Sequence, residues 1–188
     1  MKINRIASNQ KNNHILKNEI FQFIKKNIKY SIFKDLDFSF FNFYFEINYK
    51  NIFIIKNNKK IIGLISYINE KNQKILKKQI ISNIIKKPFS FFKIILSINY
   101  YFKSTNPPKN YLQLMHLILD KRILKITKKV NRDKKINELH KKVSSNKFKG
   151  IYASYRKNNL SAAMYYEKNN FKIFEKNPYF CFVKKKLN

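Results

Sequence analysis

The run Ile151-YASYRKNNLSAAMYYEKNN-Phe171 decides how the rest of this chain is read. Ile151 to Tyr155, apolar and aromatic, predicts a strand. The polar break that follows ends on Asn159, a residue suited to cap a helix whose first residue is Leu160. Asn159 to Asn169, with Ala162, Ala163 and Tyr166, has the composition of that helix. Beyond it, Phe171 to Phe174 and Tyr179 to Val183 predict two closing strands.

Working outward, Tyr111 to Leu119 predicts an apolar strand buried on both faces of a sheet. Lys121 to Lys142 is helical in pattern. Asn51-IFIIKNNKKIIGLISYI-Asn69 holds two β-branched runs joined by Asn57-Asn58, a two-residue turn whose asparagines tolerate positive φ. Ile15, Ile20, Phe23, Ile24 and Ile28 fall near helical spacing. Phe33 to Tyr49 reads both ways: its aromatics favour a strand, yet Leu36, Phe40, Phe43 and Ile47 keep helical spacing. Lys2 to Ala7 suits a short edge strand, residues 71 to 104 look helical with a break at Pro88, and Asn106-Pro-Pro-Lys109 is a loop. Helices alternate with strands and nothing marks a boundary, so residues 1–188 are expected to form one mixed α/β domain with a helical insertion at about 71–109.

Composition narrows the function classes. The chain has 188 residues, is 44% hydrophobic and 16% aromatic, and so has enough apolar surface for a core. Its formal net charge of +31 invites a nucleic-acid partner. Against that, only four of the 41 basic residues are arginine, the usual bidentate reader of guanine. Lys, Asn, Ile, Phe and Tyr, the residues of A/T-rich codons, are all abundant, while glycine occurs twice. Codon drift accounts for the charge, and no nucleic-acid partner is expected. The single cysteine, Cys181, excludes an internal disulfide and reads as a core residue; no metal site is expected. No apolar leader opens the sequence, and Phe89 to Phe102, interrupted by Lys93 and Asn99, is too short to span a bilayer. A cytoplasmic protein without an integral membrane segment is the expectation.

The tail quoted first resembles the closing motif of GNAT acetyltransferases: a strand, an Asn, an Ala three residues on, a Tyr at the seventh, then Glu-Lys-x-Gly-Phe. Asn159, Ala162, Tyr166, Glu167, Lys168 and Phe171 fall on it in register, with Asn170 at the usual glycine. Leu112-QLMHLIL-Asp120 is similar to the family's central strand, and Ile62-GLIS-Tyr67 resembles the end of its hairpin. The resemblance implies a central, mostly antiparallel mixed sheet flanked by helices, splayed where acetyl-CoA enters, and transfer of an acetyl group to an amine. The acceptor would be a small molecule, such as an amino sugar, or a peptide, covered by the N-terminal helices and the insertion; a homodimer is left open.

The residue roles are likewise what the resemblance implies. Tyr166 stands where a hydroxyl protonates the departing thiolate. The donor lies between the strands at Leu117 to Leu119 and Ile151 to Tyr155, and Asn159 orients its pantetheine arm. The family's glycine-rich pyrophosphate loop has its best counterpart in Arg132-DKKI-Asn137, with Lys135 and Asn137 at the glycine positions; a second register places it at Thr127 to Arg132. The position of the family's catalytic glutamate is taken by Gln113, which cannot accept a proton. His116 is the candidate base, with Glu46 a further option. The missing glycines leave a second reading, a GNAT-fold binding or scaffold module without turnover. A basic protein of nucleic acid or membrane surfaces, with Phe89 to Phe102 as its interfacial helix, is a third.

Overall fold

The computed structural model describes residues 3–27, 38–58, 60–86, 108–120, 129–144 and 147–187. In chain order these form β1 (Asn4–Arg5), α1 (His14–Asn27), α2 (Phe38–Asn48), β2 (Ile52–Asn57), β3 (Lys60–Ile68), α3 (Glu70–Lys86), β4 (Tyr111–Leu119), α4 (Lys129–Ser144), β5 (Gly150–Arg156), α5 (Leu160–Lys168), β6 (Lys172–Lys176) and β7 (Phe180–Lys186). The strands make one seven-stranded sheet in the order β1-β2-β3-β4-β5-β7-β6. Every neighbouring pair is antiparallel except β4 and β5, which are parallel. This is the mixed, mostly antiparallel sheet that the resemblance implied. The Pro88 break, the segment Phe89 to Phe102 and most of the insertion lie outside the described residues.

The two faces of the sheet bury two cores. On one, Leu16, Ile20 and Ile24 of α1, Phe40, Phe41, Tyr44 and Phe45 of α2 and Leu76 of α3 pack on Ile52, Ile54, Leu64, Ile68 and Ile118. On the other, Ile136 and Leu139 of α4, Tyr166 of α5 and Phe171 pack on Ile65, Tyr67, Leu112, Leu114, Ile151, Ala153 and Val183. The aromatic segment that read both ways is thus a helix over Phe38–Asn48. Its buried stripe includes Phe41, Tyr44 and Phe45, while Phe43 and Ile47 sit half-buried at the edge of that core. Lys17 is buried between α1 and α2, donating to Asn42 Oδ1 at 2.6 Å and to Glu46 Oε1 at 3.2 Å. Glu46, a candidate base in the sequence, is committed to that ion pair.

With two glycines in the chain, asparagine takes the left-handed positions. The non-glycine residues with positive φ among those described are Asn58 (44°), Asn110 (64°) and Asn170 (60°). Asn57 closes β2 opposite Lys60, so the hairpin turn is one residue later than expected. Asn170 ends α5 as a Schellman cap: its N–H donates to Glu167 C=O at 3.0 Å, and Phe171 N–H donates to Tyr166 C=O at 2.9 Å. The apolar contact that accompanies such caps is Phe171 on Tyr166, ring centroids 5.0 Å apart. Asn170→Gly should therefore hold or raise stability, whereas Asn170→Val should lose about 1–2 kcal/mol in urea unfolding. Equal stability of all three would show that the left-handed cap carries no strain. Gly150, by contrast, is a matter of space: a Cβ there would strike the Lys185 backbone carbonyl and come within 2.7 Å of Tyr111 Cε1.

One extra residue, Met115, interrupts the β3–β4 ladder between the pairs Ser66↔His116 and Tyr67↔Leu114. Such a bulge switches which side chains face which core. Before it, Leu112 and Leu114 face the α4–α5 side; after it, Leu117 and Leu119 do, and His116 and Ile118 turn to the α1–α2 side. β4 is consequently not buried evenly on both faces: Leu112, Leu114, His116 and Ile118 are buried, and the residues between them are half-buried.

Candidate functional site

The parallel pair β4–β5 is joined only at its start. Tyr111 pairs with Gly150, Leu112 with Ile151 and Gln113 with Tyr152; beyond that β4 runs on to Leu119 and β5 to Arg156 without pairing. The strands part like a fork. Asp120 N–H donates to Ile62 C=O at 2.8 Å, so Ile118 and His116, which share its parity, turn their main-chain groups to β3. Leu117 and Leu119 then turn theirs into the fork. On β5, Leu187 N–H donates to Lys149 C=O at 3.1 Å and Lys157 N–H to Tyr179 C=O at 3.0 Å, which directs the odd-numbered residues to β7. Ser154 and Arg156 face the fork instead. Main-chain donors and acceptors on both of its walls suit a substrate with amide groups of its own.

Tyr166 lies beside the diverged part of β5. Its ring stacks on Tyr155 at 5.5 Å between centroids and meets Tyr165 edge-on at 5.4 Å. It is 8% exposed. Burial, and then Tyr155, push its phenol well above the usual tyrosine value, so it holds its proton and stays available as a hydrogen-bond donor. Asn159 caps α5: its Oδ1 accepts from Ala162 N–H at 3.1 Å. The capping reading of this residue is therefore met, and its N–H₂ remains exposed at the end of the fork.

His116 and Tyr166 are not brought together. His116 is on the opposite face, its Nδ1 2.7 Å from Ser66 Oγ and its ring edge-on to Tyr44 at 6.3 Å. Burial lowers its pKa to about 3, so the imidazole is neutral and a poor acceptor of an amine proton. The reason is the Met115 bulge, which sets the parity of everything after it.

The proposed pyrophosphate loop is also displaced. Arg132 to Asn137 lies inside α4, where its backbone N–H groups belong to the helix. Arg132 is buried against Asp133 with Nε 3.4 Å from Oδ1, and Lys135 is exposed. Asn137 donates to Asn169 Oδ1 at 2.6 Å and accepts from Lys185 Nζ at 3.0 Å. Arg132, Lys135 and Asn137 thus do not form a cradle, and glycine at 135 or 137 would loosen a helix by about 1 kcal/mol each rather than open one. Nothing in that charged run stops a helix, in keeping with the helical pattern of Lys121 to Lys142; the loop followed only from the spacing of the family's motif. The second register, Thr127 to Arg132, overlaps the start of α4 at Lys129, and its first residues lie outside those described.

Two polar constellations had not been anticipated. Tyr67 Oη is 2.6 Å from His140 Nδ1 in the α4–α5 core, the rings edge-on at 5.7 Å. His140 is fully buried and burial lowers its pKa to about 3. A signal for it existed: His140 stands on the stripe Ile136, Leu139, Val143 at helical spacing. The other is Gln73, Gln113 and Tyr152 on the α1–α3 side. Gln73 Nε2 donates to Gln113 Oε1 at 2.9 Å, and Tyr152 Oη donates its one proton to the same oxygen, the nearer of its two neighbours at 3.2 Å, with Gln73 Oε1 at 3.4 Å. No group of His, Cys, Asp or Glu among the described residues is arranged to hold a metal ion, and no described helix is long and apolar enough to cross a membrane.

No family model matches the sequence, and no curated protein does. Solved structures do match the fold. An N-acetyltransferase from Staphylococcus aureus Mu50 aligns over 98% of this chain and 100% of its own with a TM-score of 0.60 at 10% identity. A ribosomal-protein-alanine N-acetyltransferase from Brucella melitensis aligns over 100% of both chains, TM-score 0.57, at 9% identity. An aminoglycoside 6'-acetyltransferase type Ii aligns over 100% of this chain and 98% of its own, TM-score 0.57, at 13% identity. The architecture is the GNAT fold. Two of these names state an acceptor, a ribosomal-protein alanine and an aminoglycoside, and the two differ, so the fold by itself does not choose one.

Proposed function

We propose that this GNAT-fold chain is an N-acetyltransferase that moves an acetyl group from acetyl-CoA to a primary amine. The observation that carries the reading is the fork: three residue pairs of parallel ladder, then two diverging walls with Tyr166 beside them. The pantetheine arm would lie in the fork, its amides meeting the main chain of Leu117 and Leu119 and the N–H₂ of Asn159. The amine attacks the thioester carbonyl carbon from the α1–α2 side. The C–N bond forms, the C–S bond breaks with its electron pair going to sulfur, and the amine gives up one proton to water. With His116 neutral and facing Ser66, no described side chain supplies a strong base, so the amine must arrive unprotonated.

Tyr166 donates to the departing sulfur. An ordinary thiol has a pKa of about 8.5, lower than a phenol's, so complete proton transfer from a buried tyrosine is uphill. The phenol acts mainly as a hydrogen-bond donor to the thiolate, which takes its proton from water on release. Titration of the protein with acetyl-CoA tests the proposal first. Binding is expected, and in a chain of formal net charge +31 it should weaken steeply as salt rises. No binding at low salt would leave a fold without turnover, the scaffold reading, and end the enzyme proposal.

A further inference from the structure

We infer that Gln113 reads the acceptor, and that the acceptor carries a carbonyl or carboxylate oxygen next to its amine. The inference rests on the acetyltransfer reading of the fork and names the substrate class for it. Gln113 is the last β4 residue paired with β5, opposite Tyr152, at the closed end of the fork. Its side chain lies on the face from which the amine approaches, because Gln73 of α3 reaches it there.

The orientation of the amide is set by its neighbours. Gln113 Oε1 accepts from both Gln73 Nε2 and Tyr152 Oη, and these two partners are themselves 6% and 4% exposed. A carbonyl oxygen with two donors has both lone pairs occupied. The N–H₂ on the other side of the amide has no partner among the described residues, and Gln113 is half-buried rather than sealed. The position therefore offers two donors and no acceptor. A sugar hydroxyl both donates and accepts, and here its proton would find nothing. An oxygen that only accepts, in a carbonyl or carboxylate beside the amine, uses what is offered. Amino acids, amino-acid amides and peptide N-termini have that arrangement; alkyl amines and lysine side chains do not. The glutamine that removes a base from this position supplies a donor instead.

Glycinamide and ethylamine test this, each assayed with wild type, Gln113→Leu and Gln113→Glu. Comparing the ratio of their kcat/KM values between proteins cancels the difference in amine basicity. Gln113→Glu keeps an oxygen for Gln73 and Tyr152 and puts a carboxylate oxygen, which accepts and cannot donate, in place of the N–H₂, so it guards against a folding defect in Gln113→Leu. Any base it adds serves both amines and is read in kcat/KM for ethylamine. Both variants should lower the glycinamide-to-ethylamine ratio about tenfold, the worth of one hydrogen bond of roughly 1.4 kcal/mol. An unchanged ratio in both overturns the inference. Calorimetric titration of glycinamide into the CoA-loaded protein reads the same contact without turnover. Weaker binding to both variants supports the inference; equal binding to all three proteins, or none to wild type, overturns it. If glycinamide binding depends on Gln113 while no protein transfers acetyl groups, the acetyltransferase proposal falls and the acceptor-side reading stands.

Discussion

Tyr166→Phe should lower kcat by about 10²-fold while leaving the dissociation constant for acetyl-CoA within about twofold. General acids supply about 10²- to 10⁴-fold, and the lower end follows from the surroundings of this phenol. Burial beside Tyr155 makes it a weak acid, so it stabilises a developing thiolate without handing over its proton. The same physics fixes the pH profile. An enzyme using an ordinary tyrosine would lose activity as pH approaches 10; here kcat should stay level to that point. Tyr165→Phe is the control. Tyr165 Oη is buried without a hydrogen-bond partner among the described residues, and its ring is edge-on to Tyr166. Loss of that hydroxyl should change kcat little, because it reaches no donor or acceptor. A large loss in Tyr165→Phe with none in Tyr166→Phe would exchange the two roles. Unchanged turnover in both would remove tyrosine from the chemistry altogether.

The elements that were legible are those whose signal is local. The strand predicted over Tyr111 to Leu119 is β4 to the residue, because a run of nine mostly apolar residues bounded by polar ones has few other uses. The tail was legible for the same reason, down to Asn159 as a cap; Asn170, noted only as standing at the family's usual glycine, takes the left-handed conformation. What escaped depends on register and on distance along the chain. A single extra residue at Met115 decides that His116 faces Ser66 and Tyr44 rather than Tyr166, and nothing in the sequence Leu114-Met-His116 announces a bulge. Gln73, Gln113 and Tyr152 meet across separations of 39 to 79 residues, beyond any window of periodicity. The pyrophosphate loop failed differently. Without glycine or proline to stop it, Arg132 to Asn137 continues α4, and a spacing borrowed from a glycine-rich motif had no physical hold on it.

Lowering the pH from 7 to 5 should cost this fold about 4 kcal/mol, from two imidazoles alone. His116 and His140 both have their pKa pushed down to about 3 in the folded chain, in each case chiefly by burial. An unfolded histidine titrates near 6.5. The sign follows from proton binding: between pH 3 and 6.5 the unfolded chain binds protons that the folded one refuses. Stability is therefore fully present above about 6.5 and is lost as pH falls towards 3. Below about pH 6 the slope approaches 2.7 kcal/mol per pH unit for the pair, a large share of the 5–15 kcal/mol of an ordinary domain. The surroundings reinforce it. Ser66 and Tyr44 at His116 bring no negative charge, and at His140 the nearby ammonium of Lys185 opposes a second cation. Glu70, whose carboxyl is held below its usual 4.5 by Lys74, acts in the same direction only at lower pH and on the exposed surface. Calorimetry in two buffers of different ionisation enthalpy would count the protons taken up on unfolding, and near pH 5 about two should come from these histidines. Flat stability from pH 7 to 5 would mean that both rings can be protonated in place. The α1–α2 core and the Tyr67–His140 contact would then be open to water, and the level kcat expected of a sealed Tyr166 would lose its basis with them.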